Sequence, residues 1–399
     1  MKTKALWAVL LTLLLATSLA YARTSPENEW SKGATILCYH IVESPHDPRM
    51  EISREVFVEQ MRYLAMTGYT VVPLRDIYEY AVGKRASLPK NSVAITIDDG
   101  WRSTYTEAFP ELKKRHFPFT VFIYPKIIGQ TQYALTWKQI REMAAAGVDI
   151  ESHSYSHPFL TRRRNAALDD AQYAQWLDKE LKESKAILEK QTGQPVNFLA
   201  YPYGDYDHFL VASVKNAGYE AALTCEYGPI TRGMNPFRLR RIVIDKRMDF
   251  AAFRHYLGAR PLPLEAMSPE PGQPIDPGEP AMISAKIPNY KQLEPRSVGI
   301  ALLSMAGAIP YMYDAENGYI SITVPEGLSG TLQRALVWAT DLKSGRRVEG
   351  SWTFRAPGSE PPVCPAIDPA AETAHGAATR ATAVSASDAQ PNRASRLQN

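Results

Sequence analysis

The sequence predicts an α/β domain, a mostly parallel sheet covered by helices and either open or closed into a barrel, followed by a small all-β sandwich. Three observations predict it. From about residue 34 to residue 260, short apolar runs alternate with amphipathic helical stretches. A cluster of prolines (Pro261, Pro263, Pro269, Pro271, Pro274, Pro277 and Pro280) then interrupts that pattern. Beyond it, β-type runs follow one another, separated by turn pairs such as Asn317-Gly318 and Ser344-Gly345. The chain has 399 residues, 45% hydrophobic and 22% charged, enough for two packed domains and incompatible with wholesale disorder. Lys+Arg 45 against Asp+Glu 42 is too slight an excess for a nucleic-acid-binding protein.

The elements follow in order. Lys2 and Lys4 precede an uncharged apolar run over residues 5–20, and Ala20-Tyr21-Ala22 puts small residues at a cleavage position. Residues 1–22 therefore read as a cleavable signal peptide of a secreted or periplasmic protein, the run being shorter than the ~20 residues of a membrane span. No further spanning segment follows cleavage. Strands are expected at residues 35–39, 93–97, 119–124, 148–152, 197–201, 220–224 and 241–245. Phe57, Met61 and Leu64 recur at helical spacing, as do Tyr173, Leu177, Leu181 and Leu188; further helices are expected at residues 136–146 and 207–216. The first domain spans residues 30–260. Residues 261–280 read as a proline-stiffened linker without regular ladders, residues 281–356 as the β domain without helices, and residues 357–399 as a disordered tail. The three cysteines are too few for a disulfide scaffold; Cys38 and Cys225 are compatible with buried thiols or with a pair.

Four segments concentrate reactive groups. Thr96-Ile97-Asp98-Asp99-Gly100 ends a strand, where side chains project into the crevice in which α/β folds bind ligands. Alternation along the chain lets one carboxylate face a metal and the other a substrate, although an acidic turn explains the spacing equally well. His153-Ser154-Tyr155-Ser156-His157 follows another strand, and imidazoles four residues apart can share one ion. With Asp99 they make two His and a carboxylate, the composition of an open catalytic site rather than a closed structural one. Tyr201-Pro202-Tyr203-Gly204 is a rigid turn able to present a backbone N–H to an oxyanion, or simply an aromatic wall. His40, after the first strand, is a candidate proton donor, against the commoner structural role of a single histidine. Arg162-Arg163-Arg164 reads as a solvated loop in preference to a polyanion contact.

Together these segments resemble the polysaccharide deacetylase family, also called the NodB-homology or carbohydrate esterase 4 family, over roughly residues 32–260. The resemblance implies a distorted (β/α) barrel, with the C-terminal domain similar to bacterial Ig-like modules. It implies Asp98 as general base, Asp99, His153 and His157 as ligands of a divalent ion (zinc first, with cobalt, nickel, iron or manganese as alternatives), and the Tyr203 N–H as oxyanion donor. Two family features are missing: Ala200 stands where an arginine is common, and the usual late Leu-x-His is replaced around Leu239-Arg240-Arg241. Exported poly-β-1,6-N-acetylglucosamine deacetylases share both departures. That subgroup implies His40 as the acid, and Arg241 is the expected replacement for the missing base-orienting arginine. The implied partner is an N-acetylated polysaccharide, with envelope or polysaccharide docking through the Ig-like module. The alternatives are a non-catalytic carbohydrate-binding protein of the same fold and a peptidoglycan- or chitin-type deacetylase. A glycoside hydrolase needs carboxylates on opposite sides of a sugar ring, which adjacent Asp98 and Asp99 do not supply.

Overall fold

A computed structural model describes residues 33–43, 50–161, 167–275, 282–303, 305, 308–323, 328 and 332–356. The expected signal peptide, the Arg162–Arg164 run, Cys364 and the expected tail lie outside the described residues. The first unit is built on β1 (Thr35–Tyr39), β4 (Thr70–Val71), β5 (Ser92–Ile97), β6 (Phe119–Ile123), β7 (Asp149–Ser152), β8 (Phe198–Ala200), β9 (Ala221–Leu223) and β10 (Ile242–Val243), with β2 (Ile41–Val42) and β3 (Glu51–Ile52) forming a small side pair. All neighbours in the main sheet are parallel, in the order β10-β1-β5-β6-β7-β8-β9, with β4 beside the start of β5. β1, β5 and β6 are mainly apolar and every one of their residues is buried, as central strands of a parallel sheet covered on both sides require. Beyond β9 the chain pairs with Leu223 at Leu239 and with Leu37 at Ile242. The two edges of the sheet are thus joined through an irregular segment, and this is the distortion of the expected barrel.

Local chemistry sets the helix boundaries. Helix α1 (Arg54–Met66) starts at Ser53, whose hydroxyl accepts from Val56 N, and buries Phe57, Met61 and Leu64. Helices α2 (Leu74–Ala81) and α3 (Phe109–Lys114) follow, the latter continuing a π turn at Thr104–Ala108. Capping boxes at Thr136/Gln139 and Asp169/Gln172 start α4 (Trp137–Ala145) and α5 (Asp170–Asp178). A π turn at Lys179–Glu183 joins α5 to α6 (Ser184–Thr192), and Asp207 caps α7 (His208–Asn216). Helix α8 (Phe250–Gly258) ends the unit.

The second unit contains two four-stranded sheets. One orders β11 (Arg260–Pro261), β18 (Arg347–Arg355), β17 (Leu332–Thr340) and β14 (Gly299–Leu302). The other orders β12 (Glu265–Ser268), β13 (Met282–Lys286), β16 (Tyr319–Thr323) and β15 (Tyr311–Asp314). Ile283, Ile320 and Ile322 from one sheet and Val337, Trp352 and Phe354 from the other share a single apolar core. Among the described residues its only helical turns are short 3-10 segments at Tyr290–Gln292 and Pro295–Ser297.

The proline-rich stretch differs from its expectation. It carries β11, paired with β18, and β12, paired with β13, so it is not a ladder-free linker. The physical reason is which residues supply the donors. Leu262, Gly272 and Ile275 donate to the carbonyls of Glu349, Thr353 and Arg355, while Pro261, Pro271 and Pro274 occupy positions beside them. The crossing is close: a Cβ added at Gly350 would lie 2.4 Å from the Leu262 carbonyl oxygen. Gly350→Ala is accordingly expected to destabilise the chain by about 1–3 kcal/mol through overpacking, seen as a lower denaturation midpoint with an unchanged slope.

Candidate active site

The site lies at the carboxyl ends of β1, β5, β7 and β8, where the loops leaving a parallel sheet converge. Asp98 and Asp99 follow β5, His153 and His157 follow β7, His40 follows β1, and Tyr203 sits in the turn after β8. Arg241 precedes β10, at the irregular closure of the sheet. Among described non-glycine residues eight have positive φ, and Asp99, Ser154, His157 and Tyr203 are four of them, so the backbone strain concentrates on these loops.

Asp98 is 1% exposed. Its Oδ1 accepts from Arg241 Nη1 at 2.8 Å, its Oδ2 lies 3.5 Å from Cys38 Sγ and 3.8 Å from His153 Nε2, and its backbone N–H donates to Tyr39 O. Burial alone would raise its carboxyl, but the Arg241 guanidinium, with His153 and His40, holds it well below the usual carboxylate range. Asp98 is therefore ionised. Arg241, itself buried, is locked by Nε donating to Thr224 O at 3.1 Å.

Asp99 Oδ1 lies 3.5 Å from both His153 Nε2 and His157 Nε2, which are 3.1 Å from each other. One ligand atom from each of the three residues falls within 4.8 Å of the others. Trp101 Nε1 donates to Asp99 Oδ2 at 2.9 Å, leaving Oδ1 as a buried oxygen without a hydrogen-bond donor. His153 Nδ1 meets the Ala200 carbonyl at 2.8 Å, a contact that places the proton on Nδ1 and turns the Nε2 lone pair toward Asp99. Burial lowers both imidazoles; His157, also beside His153, is pushed down to about 4. Two neutral imidazoles and an undonated carboxylate oxygen fit a divalent cation.

The loop bearing the histidines is fixed from behind. Glu180, in the π turn between α5 and α6, accepts from the backbone N–H groups of Tyr155 (3.1 Å) and Ser156 (2.9 Å) and from the Ser156 hydroxyl. The π turn aims this carboxylate at the loop, and such a single-turn irregularity leaves no periodic mark in a sequence. Tyr203 (φ 62°) packs its ring 4.7 Å from His157 and stacks 3.9 Å from Phe159, with its hydroxyl donating to His157 O at 3.4 Å. His40 Nδ1 is buried without a partner, and one of its ring nitrogens lies within 4.8 Å of ligand atoms of Cys38 and Asp98. Cys38 and Cys225 are both free thiols.

Six of the seven candidate residues therefore lie on loops at the carboxyl end of the sheet, and Arg241, just before β10, brings its guanidinium to them. Sequence reading missed Trp101, Cys38 and Glu180. Trp101 had a signal, being two residues from Asp99; Glu180 had none. Replacing Arg241 by Met is expected to cost about 3–5 kcal/mol at pH 7, because Asp98 is left as a buried unpaired charge. The deficit should depend on pH. In the wild type the depressed Asp98 contributes stability above about pH 4 that is lost as pH falls. In Arg241→Met burial still pushes the Asp98 carboxyl up and only His153 and His40 remain to oppose it, so its pKa rises from the wild-type position and the deficit shrinks on acidification; urea titrations from pH 7 to 5 check this.

Residues 85–222 match the family model described as polysaccharide deacetylase. The chain is 30% identical over 223 residues to a Bacillus subtilis protein named as a polysaccharide deacetylase, covering 56% of this chain and 75% of that one. It is 29% identical over 199 residues to the poly-β-1,6-N-acetyl-D-glucosamine N-deacetylase of Staphylococcus epidermidis, covering 48% of this chain and 68% of the relative. Among solved structures, IcaB from Ammonifex degensii superposes with a TM-score of 0.50 at 26% identity, over 57% of this chain and 98% of that one. With its catalytic-type loops on a parallel half-barrel and this extent of similarity, the chain belongs to the polysaccharide deacetylase family.

Proposed function

We propose that this chain is a metal-dependent N-deacetylase of an N-acetylglucosamine-containing polysaccharide, extracellular or in the envelope, that releases acetate. The observation that carries the reading is the juxtaposition of an arginine-paired, ionised Asp98 with the Asp99, His153 and His157 ligand atoms. Binding alone has no use for a base fixed beside a ligand triad. Zinc fits the two imidazoles and one carboxylate, and cobalt, nickel, iron and manganese are alternatives with the same donors.

In this reading Asp99, His153 and His157 hold the ion. When bound, it supplies a Lewis acid that polarises an acetamide carbonyl and acidifies water. Asp98 takes the proton of the attacking water, and Arg241 keeps its carboxylate ionised and oriented. The Tyr203 N–H donates to the developing oxyanion. His40, protonated, gives its proton to the leaving amine, so that acetate and a free glucosamine unit separate.

The poly-β-1,6-linked substrate named for the Staphylococcus relative is our first choice of glycan, supported by the identity to that protein. Export, to the periplasm or outside, belongs to the same proposal and rests on the basic start and apolar run of residues 1–22. No helix among the described residues is long and apolar enough to cross a membrane. We place the deacetylase domain at about residues 30–260, count residues 261–275 with the β domain, and read that sandwich as Ig-like.

Acetate release from β-1,6- and β-1,4-linked N-acetylglucosamine oligomers and from peptidoglycan tests the proposal. Activity is expected on the β-1,6 oligomer, lost on chelation and restored by zinc or cobalt, and reduced about 10²-fold or more in Asp98→Asn. Oligomer binding with no acetate from any acetylated glycan would show a carbohydrate-binding protein instead. Glu180→Ala, which frees the histidine loop, is expected to weaken zinc binding about tenfold by calorimetry while the fold persists.

A further inference from the structure

We infer that the C-terminal β unit is part of the catalytic apparatus: strand β18 positions the two loops that carry Tyr203 and Arg241, through Arg355 and Thr353. The inference rests on the deacetylase reading for its kinetic consequence and on geometry alone for the contacts. Alternate side chains of a strand share a face. On β18, Trp352 and Phe354 enter the core of the β unit, and Ser351, Thr353 and Arg355 point the other way, into the deacetylase domain. All three are buried, and each holds a different backbone or carboxylate of that domain.

Arg355 Nη2 donates to Asp205 Oδ1 at 2.8 Å and to the Tyr206 carbonyl at 2.9 Å, two and three residues past Tyr203. The other Asp205 oxygen accepts from the Thr161 hydroxyl at 2.9 Å, four residues beyond His157. One carboxylate therefore joins the Tyr203 turn, the histidine loop and β18. The turn has little freedom to adapt: Gly204 has φ 70°, and a Cβ there would meet Cys225 Cβ at 2.8 Å.

Thr353 serves the second loop. Its N–H and hydroxyl both donate to Glu226 Oε1, at 3.1 and 2.9 Å, beside the Tyr206 hydroxyl at 2.6 Å. The fully buried Glu226 carboxylate occupies a place where β18 has no neighbouring strand, between the pairings at Leu262 and Gly272. Burial opposes its charge, and Arg238 and Arg240 overcome that and keep it ionised. The Glu226 carbonyl accepts from Arg241 N at 2.9 Å, and Thr224, two residues earlier, holds Arg241 Nε. Hydrogen bonds linked through the covalent frames of Glu226 and Arg241 thus connect Thr353 to the residue whose guanidinium orients Asp98.

An oxyanion donor and a base orienter act mainly in the transition state, so loosening them should change kcat more than KM. Arg355→Met in the full-length, zinc-loaded chain is expected to lower kcat for acetate release about tenfold with KM within about twofold, and Arg355→Lys to recover part of the loss. Asp205→Asn should show the same split, and the double variant should lose no more than the worse single one, because both act through one contact. Amide exchange should quicken in residues 201–207 and not in the β5 strand. If Arg355→Met does not fold, Thr353→Val keeps the side-chain volume, removes one hydroxyl, and is expected to lower kcat about two- to fivefold at constant KM. The inference is overturned by folded variants whose kcat stays near wild type, by matched changes in kcat and KM, by additive losses, or by unchanged exchange at 201–207. A wild-type chain inactive on every acetylated glycan sinks the deacetylase reading instead; exchange at 201–207 then decides the clamp by itself.

Discussion

A carboxylate buried at the end of a parallel strand stays ionised only if a fixed counter-charge offsets its lost hydration, and Asp98 has Arg241 at 2.8 Å. That requirement propagates outward. Arg241 comes from just before β10, two strands from β5, where the chain has passed beside β9 at Leu239 and rejoins the sheet beside β1. Its guanidinium is aimed by Thr224 and its backbone by Glu226, and Glu226 is in turn held by Thr353. The neighbouring carboxylate meets the opposite condition: Asp99 keeps an oxygen without a donor between two neutral imidazoles. Two adjacent carboxylates are thus given different chemistries by their surroundings, one paired with a cation of the protein and one open to a cation from outside.

Much of this was legible because parallel strands announce themselves and their ends locate the crevice. β1 coincides with its expected run, and β5, β6 and β7 differ by one residue at an end; for β1, β5 and β6 the reason is that mainly apolar runs bounded by turn residues have few other readings. Asp98, Asp99, His153 and His157 were identifiable from type and position. Arg241 was not: β10 is only Ile242–Val243, and nothing local says that the preceding arginine turns inward. It was reached only through a family resemblance. Helices α2, α3 and α8 were not among the expected elements; each is short, at 8, 6 and 9 residues, too brief for a helical period to repeat clearly.

The proline-rich segment shows where composition misleads. Prolines forbid a ladder only at their own nitrogens, and a chain crossing a strand edge needs donors at alternate positions. Leu262, Gly272 and Ile275 provide those donors, and the prolines between them stiffen the path without removing a bond that the sheet uses. The same segment brings Gly272 to 2.9 Å from Tyr206 as measured at an added Cβ, so the crossing is packed against the loop that follows the Tyr203 turn.

Ser351, Thr353 and Arg355 were the least legible of all, because a polar residue at every second position of a strand ordinarily means a face turned to water. Here the face is turned to another domain, and the polar groups are what make that contact specific. Loops at the ends of strands have few apolar side chains to pack, so an apolar surface against them would slide; buried hydrogen bonds to Asp205, Glu226 and the Tyr227 carbonyl admit one register only. A buried polar group costs free energy whenever its partner is missing, so both units must be in place for either surface to be satisfied. The geometry of the Tyr203 and Arg241 loops is therefore coupled to the docking of β18.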